Sequence, residues 1–243
     1  MTSVGQLHDL IDQAMEAETA TFLATVPYAS HLTDPAGELD EEYYLRHRVE
    51  TVKRIRLTSR IDALALAGMV SVDYPSACAW GKYAAEEMSH DRLFLTDLAE
   101  HGVTTTEVAS EPLLPATARM VHYLETELAN SGPLAAVAYS LYVEWQSERY
   151  SVRAVEKARQ RYSPRHVRGA HEHVGIDERE DHYGMLVTLA QRLLEPSAPP
   201  DRLLILLSMV GAYLRDYFRE LYASTVGRRD ADPVTLARNR TVT

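Results

Sequence analysis

Apolar residues recur at threes and fours along most of this chain, and no strand-length stretch alternates apolar with polar, so helices are predicted almost everywhere. Residues 3 to 25 form one amphipathic run. A second spans 40 to 70, with Leu45, Val49, Val52, Ile55, Ile61 and Leu64 as its stripe. Pro75 suits the first turn of a helix over 76 to 100, and Gly102 suits its C-terminal cap. A polar stretch, VTTTEVASEP, leads to a helix from Pro115 to about Ala129, and Ser131, Gly132 and Pro133 interrupt the chain before the next, 134 to about 150. Pro164 opens a long segment that runs to about Leu194, where PSAPP stops it. The last helix covers Asp201 to about Ala223, and 226 to 243 reads as a polar, frayed tail. The expected architecture is an all-α antiparallel bundle of about seven helices, one domain over 1 to 225 followed by that tail.

Composition narrows the classes. A chain of 243 residues, 46% hydrophobic and 25% charged, suits one ordinary globular core. A formal charge of -10 with no dense basic segment disfavours nucleic acid and anionic membrane surfaces as partners. The longest apolar run, Leu203 to Leu214, is too short to span a bilayer, and the first residues lack a signal-peptide pattern. With Cys78 as the single cysteine there is no intramolecular disulfide and no thiolate cage, so the expected setting is cytoplasmic and any metal must be held by histidine and carboxylate.

Three segments place such residues on inward stripes. In AAEEMSHDRLFLTDL, Glu87 and His90 are three apart and share a helix face with Phe94; Glu86, four before His90, competes with Glu87. In LAAVAYSLYVEWQ, Glu144 lies on the stripe of Leu134, Val137 and Leu141, where an unpaired carboxylate is costly. A bound metal or an arginine from a neighbouring helix would satisfy it. Tyr139, Tyr142 and Trp145 beside it are candidates to line a pocket.

GAHEHVGIDEREDHYGMLVTLAQRLL is the richest segment. On a regular helix Met185, Leu186, Leu189 and Leu193 point inward together with His182, Glu178 and His171, whereas His173, Asp177 and Glu180 face the other way. A bulge of about two residues between Asp177 and His182 would turn the upstream half by about 200° and bring His173 and Asp177 inward with His182. Six nitrogen and oxygen donors from these segments, with no sulfur, suit iron or manganese better than structural zinc.

EEMSHDRLFLTDLAEHG resembles the Glu-x-x-His helix of the heme-oxygenase-like di-iron oxidases and oxygenases, the iron-containing redox enzyme family, and SGPLAAVAYSLYVE resembles their helix with the bridging glutamate. The family's last signature is His-x-x-x-Asp-x-x-His. His173 and Asp177 match its first two positions, Glu180 stands at the third, and His182 follows two residues late. The resemblance covers roughly residues 76 to 194. It implies a heme-oxygenase-like bundle in which Glu87, His90, Glu144, His173, Asp177 and His182 hold two Fe(II) ions, Glu144 bridging, and activate O2 against a small-molecule substrate. Family members oxygenate amines, cleave amino-acid carbon-carbon bonds or convert fatty acids to alkenes, often in natural-product biosynthesis. An external electron donor is expected, because no Gly-rich dinucleotide loop occurs. Pairing of two copies through an apolar stripe is also expected.

Two rival readings keep the helical fold without the metal. One is a thiaminase-like or quinone-forming enzyme, with Cys78 as the sole candidate thiol. The other is a binding protein whose histidines are incidental.

Overall fold

The structure, a computed structural model, describes residues 3–194 and 200–231, the side chains of Asp177, Glu178 and Asp230 excepted. Twelve α-helices and no strand occur among the described residues: α1 (Val4–Thr25), α2 (Glu41–Val72), α3 (Tyr74–Glu87), α4 (Asp91–Glu100), α5 (Thr105–Ser110), α6 (Pro115–Ser131), α7 (Leu134–Gln146), α8 (Val152–Arg161), α9 (Arg168–Glu180), α10 (His182–Leu193), α11 (Asp201–Ser224) and α12 (Val226–Asp230). None of the described helices is long and apolar enough to cross a membrane.

The ends follow local chemistry. Ser3 and Gln6 form a capping box on α1, Asp40 caps α2 through the Tyr43 amide, and Pro115 opens α6 where its missing N–H costs nothing. The polar stretch before α6 holds the short helix α5. Its sequence mark is the Thr104/Glu107 capping box, in which each side chain takes the other's backbone amide.

Three predicted helices are divided. The 76–100 segment breaks at Met88–His90, where the His90 amide donates back to the Glu87 carbonyl and the Ser89 hydroxyl donates to the Glu86 carbonyl. These three-residue closures compete with the α-helical ladder. The segment after Gln146 widens into a π-helical turn, Ser147–Ser151, and continues as α8 beyond the expected end near 150. The long segment after Pro164 breaks at Asp181. In α2, Val49, Val52 and Ile61 are buried as the stripe required, but Leu64 is 46% exposed. The region read as tail begins with α12, tied down by ion pairs from Arg228 to Glu42 and from Arg229 to Asp40; residues 232–243 lie outside the described ones.

Two apolar clusters form. The larger gathers Leu7, Ile11 and Met15 of α1, Trp80 of α3, nearly every residue of α7, and Leu203, Leu206, Leu207 and Val210 of α11. The smaller joins Tyr44, Val49 and Val52 of α2 to Phe94 and Leu98 of α4, Ala158 of α8 and Ala170 of α9. Helix α2 contributes to both, so its length sets the spacing between them. The chemistry-bearing side chains converge between the two clusters.

Candidate metal centre and cavity

Four helices deliver the donors. Glu87 is the last residue of α3 and His90 immediately precedes α4, so the sharp turn between them aims both side chains at the same space; Glu87 Oε1 and His90 Nδ1 are 3.1 Å apart. His90 is 2% exposed. Glu144 projects from α7, a helix whose apolar surface is buried almost all round, and is 3% exposed. It accepts a hydrogen bond from the Tyr83 hydroxyl at 2.9 Å.

The third segment is resolved by one left-handed residue. Asp181 has φ 46° and ψ 51°, ends α9 and begins α10, and its carboxylate accepts the Gly184 amide as an N-cap. The break separates α9 from α10 between Asp177 and His182, where a discontinuity was expected. His173 packs against His90, ring centroids 4.5 Å apart, while His182 Nδ1 stands 3.9 Å from Glu87 Oε1. His171 and Glu180 are exposed, so neither replaces them. The Asp177 and Glu178 side chains lie outside the described residues. Tyr183, next to His182, donates to Asp12 of α1 and fixes the start of α10 against the bundle.

Two groups of donors result, each with its atoms within 4.8 Å of one another: Glu87, His90 and His173; and Glu87, Glu144 and His182. Glu87 belongs to both. His182 Nδ1 is 3.9 Å from Glu87 Oε1 and 3.9 Å from Glu144 Oε1. Donors held about 2.0–2.2 Å from a metal are separated by about 3–4 Å, the range in which Glu87–His90 at 3.1 Å and the two His182 separations at 3.9 Å fall. Glu87 Oε1 is buried and accepts no well-formed hydrogen bond, although two imidazole nitrogens approach it. Glu86, the competing carboxylate, sits at the rim and reaches the opposite nitrogen of His182, Nε2, at 3.1 Å. The carboxylate shared by both groups is thus Glu87, whereas the resemblance had given Glu144 the bridging position.

Acidic charge is concentrated here. Asp62 of α2 is buried at the cavity wall, and desolvation together with the Glu87 carboxylate pushes it up to about 7. Burial and the Glu144 and Glu87 charges push the Tyr83 hydroxyl well above the usual phenol range. A bound cation would offset the charge that raises Asp62 and Tyr83.

A cavity of about 330 Å³ opens beside Glu87 and His173 and runs along α2 past Asp62, Thr58, Ile55, Thr51 and Arg48. Tyr139 and Tyr142 line it, as expected. Trp145 instead turns to α1 and donates to Asp12, and Arg215 of α11 is engaged by Glu18. Cys78 is exposed and does not line the cavity. The sequence reading did not pick out Arg48, Arg54 or Asp62. On a long helix they resemble a solvated polar face, and the only signal is that 48, 51, 55, 58 and 62 repeat at threes and fours beside the apolar stripe.

The family model described as iron-containing redox enzyme matches residues 62–209. A Shewanella denitrificans domain of unknown function with a heme oxygenase-like fold superposes with a TM-score of 0.77 at 17% identity, covering 89% of this chain and 92% of that one. A TenA homologue from Pseudomonas syringae pv. tomato gives 0.69 at 9% identity, covering 90% and 95%. A TenA homologue from P. horikoshii gives 0.69 at 12% identity, covering 89% and 98%. No curated protein matches by sequence. The fold is therefore the heme-oxygenase-like helical bundle.

Proposed function

Because the chain belongs to the iron-containing redox enzyme family, we propose that it is a non-heme di-iron oxidase or oxygenase that uses O2 to oxidise a small molecule. The candidate reactions are oxygenation of an amine and oxidative carbon-carbon cleavage of an amino- or fatty-acid-like compound, in natural-product biosynthesis. The observation that carries the reading is the shared position of Glu87 between one donor group with His90 and His173 and a second with Glu144 and His182. One carboxylate flanked by two such sets suits two neighbouring metal ions.

Bound iron would supply the electrons and open coordination positions that dioxygen chemistry needs, and an external donor would restore the electrons. The remaining work falls to the chain. Tyr83 holds Glu144 in place through its hydroxyl, and its ring meets His182 edge-on at 5.1 Å. Glu86 engages His182 Nε2, which leaves Nδ1 turned toward Glu87 and Glu144. The apolar cavity walls limit water around the reacting carbon or nitrogen. A thiol-dependent hydrolase on the same fold is disfavoured by the outward position of Cys78.

Anaerobic titration with Fe(II) tests the reading. About two ions per chain should bind, followed by a visible absorbance change on exposure to oxygen, and Glu87→Ala should lose both ions. Iron bound no better by the native chain than by Glu87→Ala/His90→Ala would overturn it.

A further inference from the structure

Arg48 of α2 is 91% buried, being 9% exposed, and lines the cavity. Among the described residues it has no ion pair and no hydrogen bond, and its Nε is a buried donor without an acceptor. Its guanidinium is stacked instead on two rings, 5.1 Å from the Tyr44 centroid and 5.2 Å from that of Phe94. The Asp97 carboxylate senses the Arg48 charge but makes no ion pair with it, its two oxygens accepting the Gly169 and Ala170 amides. Ring stacking holds a guanidinium in place but leaves its in-plane donors open, and a buried donor that meets no acceptor is costly.

The contrast with Arg54, the next arginine along the same wall, is informative. Arg54 stacks over the Tyr217 ring at 5.4 Å and lies in the field of the Tyr139 and Tyr217 hydroxyls and buried Glu50, which hold its pKa up. Beside Arg48, His47 is held neutral by burial and by the Arg48 and Arg54 charges. The Arg48 end of the cavity is thus electropositive, whereas the Glu87 and Asp62 end is acidic.

We propose that Arg48 is the anion anchor of this cavity, binding the carboxylate of an otherwise largely apolar substrate whose reactive part extends toward Glu87 and His173. The distance suits a small molecule, since the Phe94 ring is within reach of both: 5.2 Å from the guanidinium and 5.3 Å from the His173 ring. Phe22, Leu32, Ile55, Val143 and Phe218 line the space available to the apolar part. A planar guanidinium matches a carboxylate with two parallel N–H donors, and one cation balances one such charge. The inference rests on the oxidase reading only for what happens at the metal end; the anion site stands or falls by itself.

Calorimetric titration of the full chain with octanoate and with octanamide, with and without Fe(II), tests it. Octanoate should bind about tenfold or more tighter than octanamide in either condition. Arg48→Met should abolish that preference, leave octanamide binding within about twofold and leave the iron stoichiometry unchanged. Equal binding of acid and amide by the native chain overturns the proposal, whatever the variant does. Binding of inorganic phosphate in place of octanoate overturns the carboxylate assignment. Loss of iron binding with the octanoate preference intact would sink the oxidase reading alone.

Discussion

Glu86 Oε2 stands 3.1 Å from Nε2 of His182, on the side of the imidazole opposite the nitrogen that faces Glu87 and Glu144. Two consecutive glutamates at the end of α3 therefore act on different sides of the cluster, Glu87 within it and Glu86 behind one of its histidines. A carboxylate behind a ligating imidazole fixes its tautomer and raises its basicity, an effect of about 10–100-fold in metal affinity. Glu86→Ala should weaken one of two Co(II) binding events by about that factor and leave the other unchanged, whereas Glu87→Ala should remove both. Titration followed through the visible Co(II) bands reads the two events separately. A Glu86→Ala isotherm superimposable on the native one would refute the role.

Asp181 makes a second prediction. Its left-handed backbone, φ 46°, is uncommon for a residue with a Cβ, and aspartate tolerates it while capping the Gly184 amide. Asp181→Asn keeps both properties and should be close to neutral. Asp181→Ala keeps neither and should cost about 1–2 kcal/mol in urea unfolding. Deleting residue 181 should fuse α9 and α10 into a continuous helix and turn His173 away from His182 by about 100°. Iron binding should then be lost while helical circular dichroism persists; retention of two ions by the deletion variant would show that the break does not position the histidines.

The approach of α9 to α4 depends on a glycine. A Cβ at Gly169 would sit 1.9 Å from the Leu93 carbonyl oxygen, so backbone meets backbone with no side chain free to yield. Asp97, 1% exposed, secures this contact by accepting the Gly169 and Ala170 amides at 2.7 and 2.8 Å. Gly169→Ala should cost roughly 3 kcal/mol or more and lower Tm by about 6–12 °C. Because His173 lies one turn further along α9, the same variant should weaken iron binding. A Tm within 2 °C or so of the native value would mean that α9 slides without penalty.

Helix content and the ligand-bearing segments were legible because periodicity reports which face is buried. Glu144 reads correctly from its own helix: three apolar residues on its stripe, at 134, 137 and 141, are buried with it. The helix breaks were less legible. Nothing in the periodicity of 76–100 reveals the turn at Met88–His90, since Glu87 and Phe94 remain inward on either side of it. The misfit between His173 and His182 did indicate a discontinuity, and the structure places it in a single residue, Asp181, instead of a two-residue bulge. Arg48 and Asp62 were hidden for a different reason. Their surroundings come from α4, α7 and α9, and the burial of a polar residue on a long helix is set by neighbours its own sequence does not name.

Stability should also depend on pH through His31. Its Nε2 accepts the Asp40 amide at 2.8 Å beside the α2 N-terminus, and its ring stacks on Tyr28 at 4.0 Å. Burial, reinforced by the Lys157 charge, lowers its pKa from 6.5 to about 4. Protonation would remove the acceptor that Asp40 uses. Between about pH 4 and 6.5 the unfolded chain takes up a proton that the native chain refuses. His31 therefore contributes stability that is complete above 6.5 and is lost as pH falls toward 4, by about 1–3 kcal/mol. Buried His47 adds a contribution of the same sign, so the native profile alone does not isolate His31. His31→Gln retains an acceptor oxygen for the Asp40 amide but cannot titrate. Urea unfolding at half-unit steps from pH 4.5 to 7.5 should give a shallower rise for His31→Gln than for the native chain, the two curves converging in slope above 6.5. Parallel curves over the whole range would show that His31 is protonated as readily in the folded protein as in the unfolded one.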